Sequence, residues 1–142
     1  MERLSYLIDS NVWLELLLRQ QHADEVRQFL QIVQLDEISL TEFTLYSIGI
    51  ITSRLKKEEV FAAFLSDLLE ETGIKRIALS LADLQDLLST MREQDLDFDD
   101  AYQYVAARNN DLILVSFDKD FDSTDMKRKT PAMILAEKAD YN

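Results

Sequence analysis

Leu7-Ile8-Asp9-Ser10-Asn11-Val12-Trp13 decides how the rest of the chain is read. The apolar run Tyr6 to Ile8 stops at a polar triplet, and Val12 to Leu18 then opens an apolar helix. A short, unbroken apolar run suits a strand covered on both faces, as in a parallel sheet. Asp9 stands where that strand ends. In an open α/β sheet the carboxyl ends of the strands are where ligands and reacting groups gather. A carboxylate there is either a helix cap or a piece of chemistry. Glu42, Asp100 and Asp118 fall in comparable places.

Working outward, strands are expected at Leu4 to Ile8, Glu37 to Leu40, Lys75 to Leu79 and Leu112 to Val115. Between them the apolar spacing predicts helices to about Arg19, over Ala23 to Val33, from Thr41 to about Arg54, and over Lys57 to Glu71. Further helices are expected over Leu81 to Glu93, over Asp100 to Asn109, and from Pro131, at a first helical turn, onward. Ser10 or Asn11 can cap the first helix and Ser80 the fifth. Asp97 can cap the sixth, with Asp100 as the acidic third residue of a capping box. Gly73 reads as a C-terminal stop. Gly49, inside a helix at a cost of ~1 kcal/mol against alanine, implies a close packing contact. Trp13 reads as core or dimer-interface bulk, and His22 as a solvated or capping residue. Strands alternating with helices give a three-layer α/β/α sandwich around a central, mainly parallel sheet, with residues 1–142 forming one domain.

Composition narrows the function. The 142 residues are 47% hydrophobic, with two glycines and one proline, which suits a packed, helix-rich domain. The absence of cysteine excludes disulfides, zinc–thiolate sites and thiol nucleophiles, and a single histidine excludes a histidine-rich metal cluster. No stretch reaches the ~20 apolar residues of a membrane span. The first strand begins within a few residues of Met1, so no signal peptide and a cytoplasmic location are expected. The net charge of −12 repels nucleic acid at long range and counts against a simple RNA- or DNA-binding module. Bound cations would invert that field locally, and an acidic surface also suits a basic partner.

Hard cations such as Mg²⁺ and Mn²⁺ take oxygen ligands, and carboxylates from separate elements can hold them without histidine, cysteine or lysine. Asp9, Asp100 and Asp118 sit at strand–helix junctions, and Glu42 lies in the first turn of a helix after a strand. Such positions face one edge of a parallel sheet. Four carboxylates brought together would repel one another, and a bound cation resolves this. Each alone also fits the bland role of an acid in a first helical turn, worth ~0.3–1 kcal/mol. The clusters Arg54-Leu55-Lys56-Lys57 and Lys127-Arg128-Lys129 read as solvated helix ends, or as a rim that grips a phosphate backbone.

Taken in order, Leu7-Ile8-Asp9-Ser10-Asn11, Ser39-Leu40-Thr41-Glu42, Asp100-Ala101 with Ala106-Ala107, and Val115-Ser116-Phe117-Asp118-Lys119-Asp120-Phe121 resemble the motifs of PIN-domain ribonucleases, which include the VapC-type toxins of toxin–antitoxin pairs. The resemblance runs over essentially the whole chain. It implies a Mg²⁺- or Mn²⁺-dependent endoribonuclease whose metal-binding acids are Asp9, Glu42, Asp100 and Asp118, with Asn11 and Ser116 in support. Two registers stay open: Asp99 for Asp100, and Asp120 sharing the role of Asp118. The resemblance further implies an RNA substrate, a homodimer and a small antitoxin with a basic segment that blocks the acidic site. The strongly acidic charge departs from the basic surface of many family members. Two rival readings are a non-catalytic PIN-like interaction module and a phosphatase or phosphotransfer domain with Asp9 as covalent nucleophile. The latter lacks the second aspartate that such loops carry.

Overall fold

In the computed structural model, which describes residues 4–71 and 73–140, strands β1 (Tyr6–Ile8), β2 (Ile38–Thr41), β3 (Lys75–Ile77) and β4 (Ile113–Val115) form one sheet. Every pairing is parallel and the order is β3-β2-β1-β4. Tyr6 lies beside Ile38 and Ile113, and Ile8 beside Val115. β1 and β2 are buried along their whole length, whereas edge strand β3 carries the exposed Lys75 and Arg76. Charged side chains on an edge discourage pairing with another chain.

Helices α1 (Ser10–Leu17), α2 (Ala23–Ile32), α3 (Glu42–Arg54), α4 (Glu58–Glu70) and α7 (Pro131–Ala139) cover one face; α5 (Leu81–Glu93) and α6 (Phe98–Asn109) cover the other. The strand period of two sorts the core. Tyr6 and Ile8 join Val12, Phe29, Ile48 and Phe64 on one side, while Leu7 joins Leu87, Val105, Leu114 and Phe121 on the other. Trp13 is 4% exposed and packs tilted against Phe64, so it is core. The three-layer sandwich is the expected one. The chain builds outward from β1 to β2 and β3, then returns to add β4 on the opposite flank. The switch point therefore lies between the carboxyl ends of β1 and β4, where a crevice opens in such folds.

Local details differ from expectation for identifiable reasons. Asp9, not Ser10 or Asn11, caps α1, because Ser10 Oγ turns to Thr44 and the Asn11 amide to Ser116 and Phe117. Glu37 belongs to a single 3₁₀ turn, Leu35–Glu37, and β2 starts at Ile38. α4 ends at Glu70, and no glycine has positive φ, so Gly73 is no left-handed stop. It is small because a Cβ there would stand 3.0 Å from both Leu35 Cβ and Asp36 N. A Cβ on Gly49 would meet the Phe61 ring at 3.1 Å, the close contact its position implied. His22 gives α2 no side-chain cap; its ring stacks on Phe117 at 4.8 Å and meets Glu25 at 2.8 Å.

Candidate metal centre

Asp9 joins β1 to α1 and is 7% exposed. Its Oδ1 accepts from the Ser10 N–H at 2.8 Å and from Gln103 Nε2 at 2.9 Å. Its Oδ2 accepts from Ser116 Oγ at 2.8 Å, with Asn11 Nδ2 farther off at 3.5 Å. Ser116 follows β4 directly, and its Oγ also accepts from the Asp118 N–H at 3.0 Å and from Asn11 Nδ2 at 3.2 Å. Asn11 Oδ1 in turn accepts the Phe117 N–H at 3.1 Å. Asn11 and Ser116 thus lash the end of β1 to the end of β4.

Asp97 caps α6 as expected, its side chain accepting from the Asp100 N–H at 3.1 Å. The Asp100 carboxyl faces away toward Asp118. Carboxylate oxygens of Asp100, Asp118 and Asp120 all lie within 4.8 Å of one another. Asp118 also caps the 3₁₀ turn Lys119–Ser123 by accepting from the Asp120 N–H at 2.9 Å, so one short turn presents both acids. Between the two open registers, Asp100 is the buried cluster member and Asp99 an exposed residue of the cleft lining. Asp118 and Asp120 both belong to the cluster.

Burial, then the charge of Asp118, then that of Asp97 push the Asp100 carboxyl up to about 8. Burial likewise raises Asp9, against the opposing hydrogen bonds from Gln103, Ser116 and Ser10. Among the described residues no lysine or arginine forms an ion pair with Asp9, Asp100, Asp118 or Asp120. An all-oxygen donor set with unbalanced negative charge fits a hard divalent cation.

Asp9, Asn11, Asp100 and Asp118 line a cleft of about 240 Å³, together with Leu14, Phe43, Ser47 and Ile51. A larger hollow of about 560 Å³ lies around Gly49 and Phe61, but no carboxylate lines it.

A family model for the PIN domain matches residues 6–127. The chain belongs to the PIN-domain family. No curated protein matches it by sequence. Solved structures share its PIN fold at low identity. A toxin–antitoxin complex from Klebsiella pneumoniae is 20% identical with a TM-score of 0.70, over 89% of this chain and 98% of that one. Mycobacterium tuberculosis VapC20, a toxin that cleaves the sarcin–ricin loop, is 14% identical with a TM-score of 0.75, over 86% and 96%. Rickettsia felis VapBC2, bound to a fragment of its promoter DNA, is 18% identical with a TM-score of 0.68, over 89% and 97%.

In this PIN domain Asp9 lines the cleft without joining the three-acid cluster, and Glu42 is not brought there at all. As the first residue of α3 it points toward β3, where Arg76 Nη2 holds its Oε1 at 2.7 Å. From α3 the cleft receives Phe43, Ser47 and Ile51 instead. The basic run Lys127 to Lys129 is largely structural. Arg128 is drawn in to Asp122 and the Ser116 carbonyl, while Lys129 bridges to Val115 and pairs with Glu137. Gln103, unremarked in the sequence, touches Asp9. Its only signal there was position, three residues after Asp100 and so on the same helical face.

Proposed function

We propose that this PIN domain is a divalent-metal-dependent endoribonuclease and the toxin of a type II toxin–antitoxin pair. One observation carries the reading: Asp100 is buried against Asp118 and Asp120, and among the described residues no lysine or arginine forms an ion pair with them. Asp100, Asp118 and Asp120 would hold Mg²⁺ or Mn²⁺, with Asp9 beside them and Glu42 held apart by Arg76. When bound, such an ion lowers the pKa of water and neutralises charge developing on a phosphodiester. The chain's own residues supply the frame. Ser116 fixes Asp9 and is itself braced by Asn11, the Ser116 hydroxyl anchors the Asp118 backbone, and the Asp118 carboxylate orders the turn that carries Asp120. Leu14, Phe43 and Ile51 give the same cleft apolar surface, suited to a nucleoside beside its phosphate.

The toxin assignment is supported by family membership and by neighbours that are toxins or antitoxin complexes. A small antitoxin with a basic segment would complement both the −12 charge and the acidic cleft, and the toxin is proposed to act as a homodimer. The same charge is what favours the rival reading, a non-catalytic interaction module. The test is cleavage of a 5′-fluorescent single-stranded RNA by the purified chain with Mn²⁺. Cleavage that stops with EDTA and in Asp100→Asn supports the nuclease. Cleavage indifferent to both, or none with any divalent ion, overturns it.

A further inference from the structure

We infer that Gln103 is the positioning residue of the metal centre: it occupies Asp9 Oδ1 so that Oδ2 is left to meet the cation. The inference rests on the metal-nuclease reading above. Gln103 is 2% exposed in a stretch of α6 whose residues from Asp100 to Ala107 are all buried. An apolar side chain would serve for packing there, and burying an amide is costly unless each polar atom is bonded. Here each one is. Nε2 donates to Asp9 Oδ1 at 2.9 Å and to Thr44 Oγ1 at 2.9 Å, while Oε1 accepts from Thr41 Oγ1 at 2.8 Å. The reversed amide would set Oε1 against the carboxylate, so the pattern fixes which atom faces Asp9. The two threonines, at the end of β2 and the start of α3, hold the amide in that sense.

The consequence falls on the Asp9 carboxylate. Ser10 N–H and Gln103 occupy Oδ1 at 2.8 and 2.9 Å. Oδ2 takes one short bond, from Ser116 at 2.8 Å, and Asn11 stands off at 3.5 Å, the outer limit of a hydrogen bond. Oδ2 is therefore the oxygen with room for another partner. Outer groups that orient metal-binding side chains typically change metal affinity or activity 10–100-fold when removed.

The experiment is calorimetric titration of the metal-free full chain with Mn²⁺. Gln103→Met keeps the side chain's length and removes its donor; its Mn²⁺ dissociation constant should rise about 10- to 100-fold. Its RNA cleavage should recover at saturating Mn²⁺, with the KM for RNA unchanged. Thr44→Val removes only the hydroxyl that aligns the amide, and should weaken Mn²⁺ binding less, in the same direction. The double variant should lose less than the two combined, because both act through one bond. If wild type and Gln103→Met bind Mn²⁺ equally while the variant only melts lower, Gln103 is packing and the inference is overturned. If Gln103→Met does not fold, Thr44→Val decides, and an unchanged constant overturns it. If the wild type takes up no Mn²⁺, the metal reading itself falls and this inference with it.

Discussion

Asp100 lies among Asp9, Asp97 and Asp118 with its carboxyl withdrawn from water, and keeps its proton up to about pH 8 against an ordinary value of 3.8. Below about pH 4 folded and unfolded chains both hold that proton, so it adds nothing. Between about 4 and 8 Asp100 keeps its proton in the folded chain and loses it in the unfolded one, so its contribution to metal-free stability falls as pH rises. Asp100→Asn should therefore raise metal-free stability at pH 8, by on the order of 1–3 kcal/mol, and leave it unchanged at pH 4; calorimetry at both pH values checks this. The same variant should lose the stabilisation that Mn²⁺ gives the wild type. Ser116→Ala removes the shortest donor to Asp9 Oδ2 and the anchor of the Asp118 backbone, and should lower cleavage ~10–100-fold with the fold retained. Glu42→Gln breaks a half-exposed pair with Arg76 and should leave cleavage within a few-fold, measured in the same assay. Asp9, Asp100 and Asp118 were legible because each follows a strand or opens a helix at the same sheet edge. Glu42 met that criterion too, but which way a first-turn side chain points depends on the neighbouring strand. Gln103 was illegible, since its bonds to Asp9, Thr41 and Thr44 exist only once α6 has packed against the sheet.

Element ends show how the chain manages with two glycines. α1, α3, α5 and α6 each finish with a left-handed residue, Arg19, Lys56, Asp95 and Asp111, at φ of 53° to 57°. Each end is closed by a long backbone bond, such as Lys57 N to Thr52 O at 2.8 Å and Leu112 N to Ala107 O at 2.9 Å. A Cβ in that conformation is strained, and glycine relieves it. Asp111 also sets a carboxylate at the negative end of α6. Asp111→Gly should stabilise the protein by about 0.5–1 kcal/mol, a rise of about 2–4 °C in thermal unfolding, whereas Asp111→Ala should not. Strand and helix order was readable from apolar period alone, with boundaries shifted by a residue or two. These helix stops were not, because Arg and Lys carry no left-handed signal and Asp carries only a weak one.

Across the whole molecule, β1 flanked by β2 and β4 brings residues from both ends of the sequence to one crevice, and parallel pairing makes that convergence unavoidable. The charge of −12 then divides the roles of surface and site. The surface repels RNA, so RNA affinity should depend on the divalent ion and rise, not fall, when salt screens the protein at fixed Mn²⁺. Binding of a basic partner should weaken with the same salt. Convergence of the acids on a cation is tested most directly by crystals soaked in Mn²⁺ and measured at the manganese absorption edge. An anomalous peak among Asp100, Asp118 and Asp120, about 2.1–2.2 Å from their carboxylate oxygens, is the predicted result. A map featureless there, or a peak bound only elsewhere on the acidic surface, would contradict it.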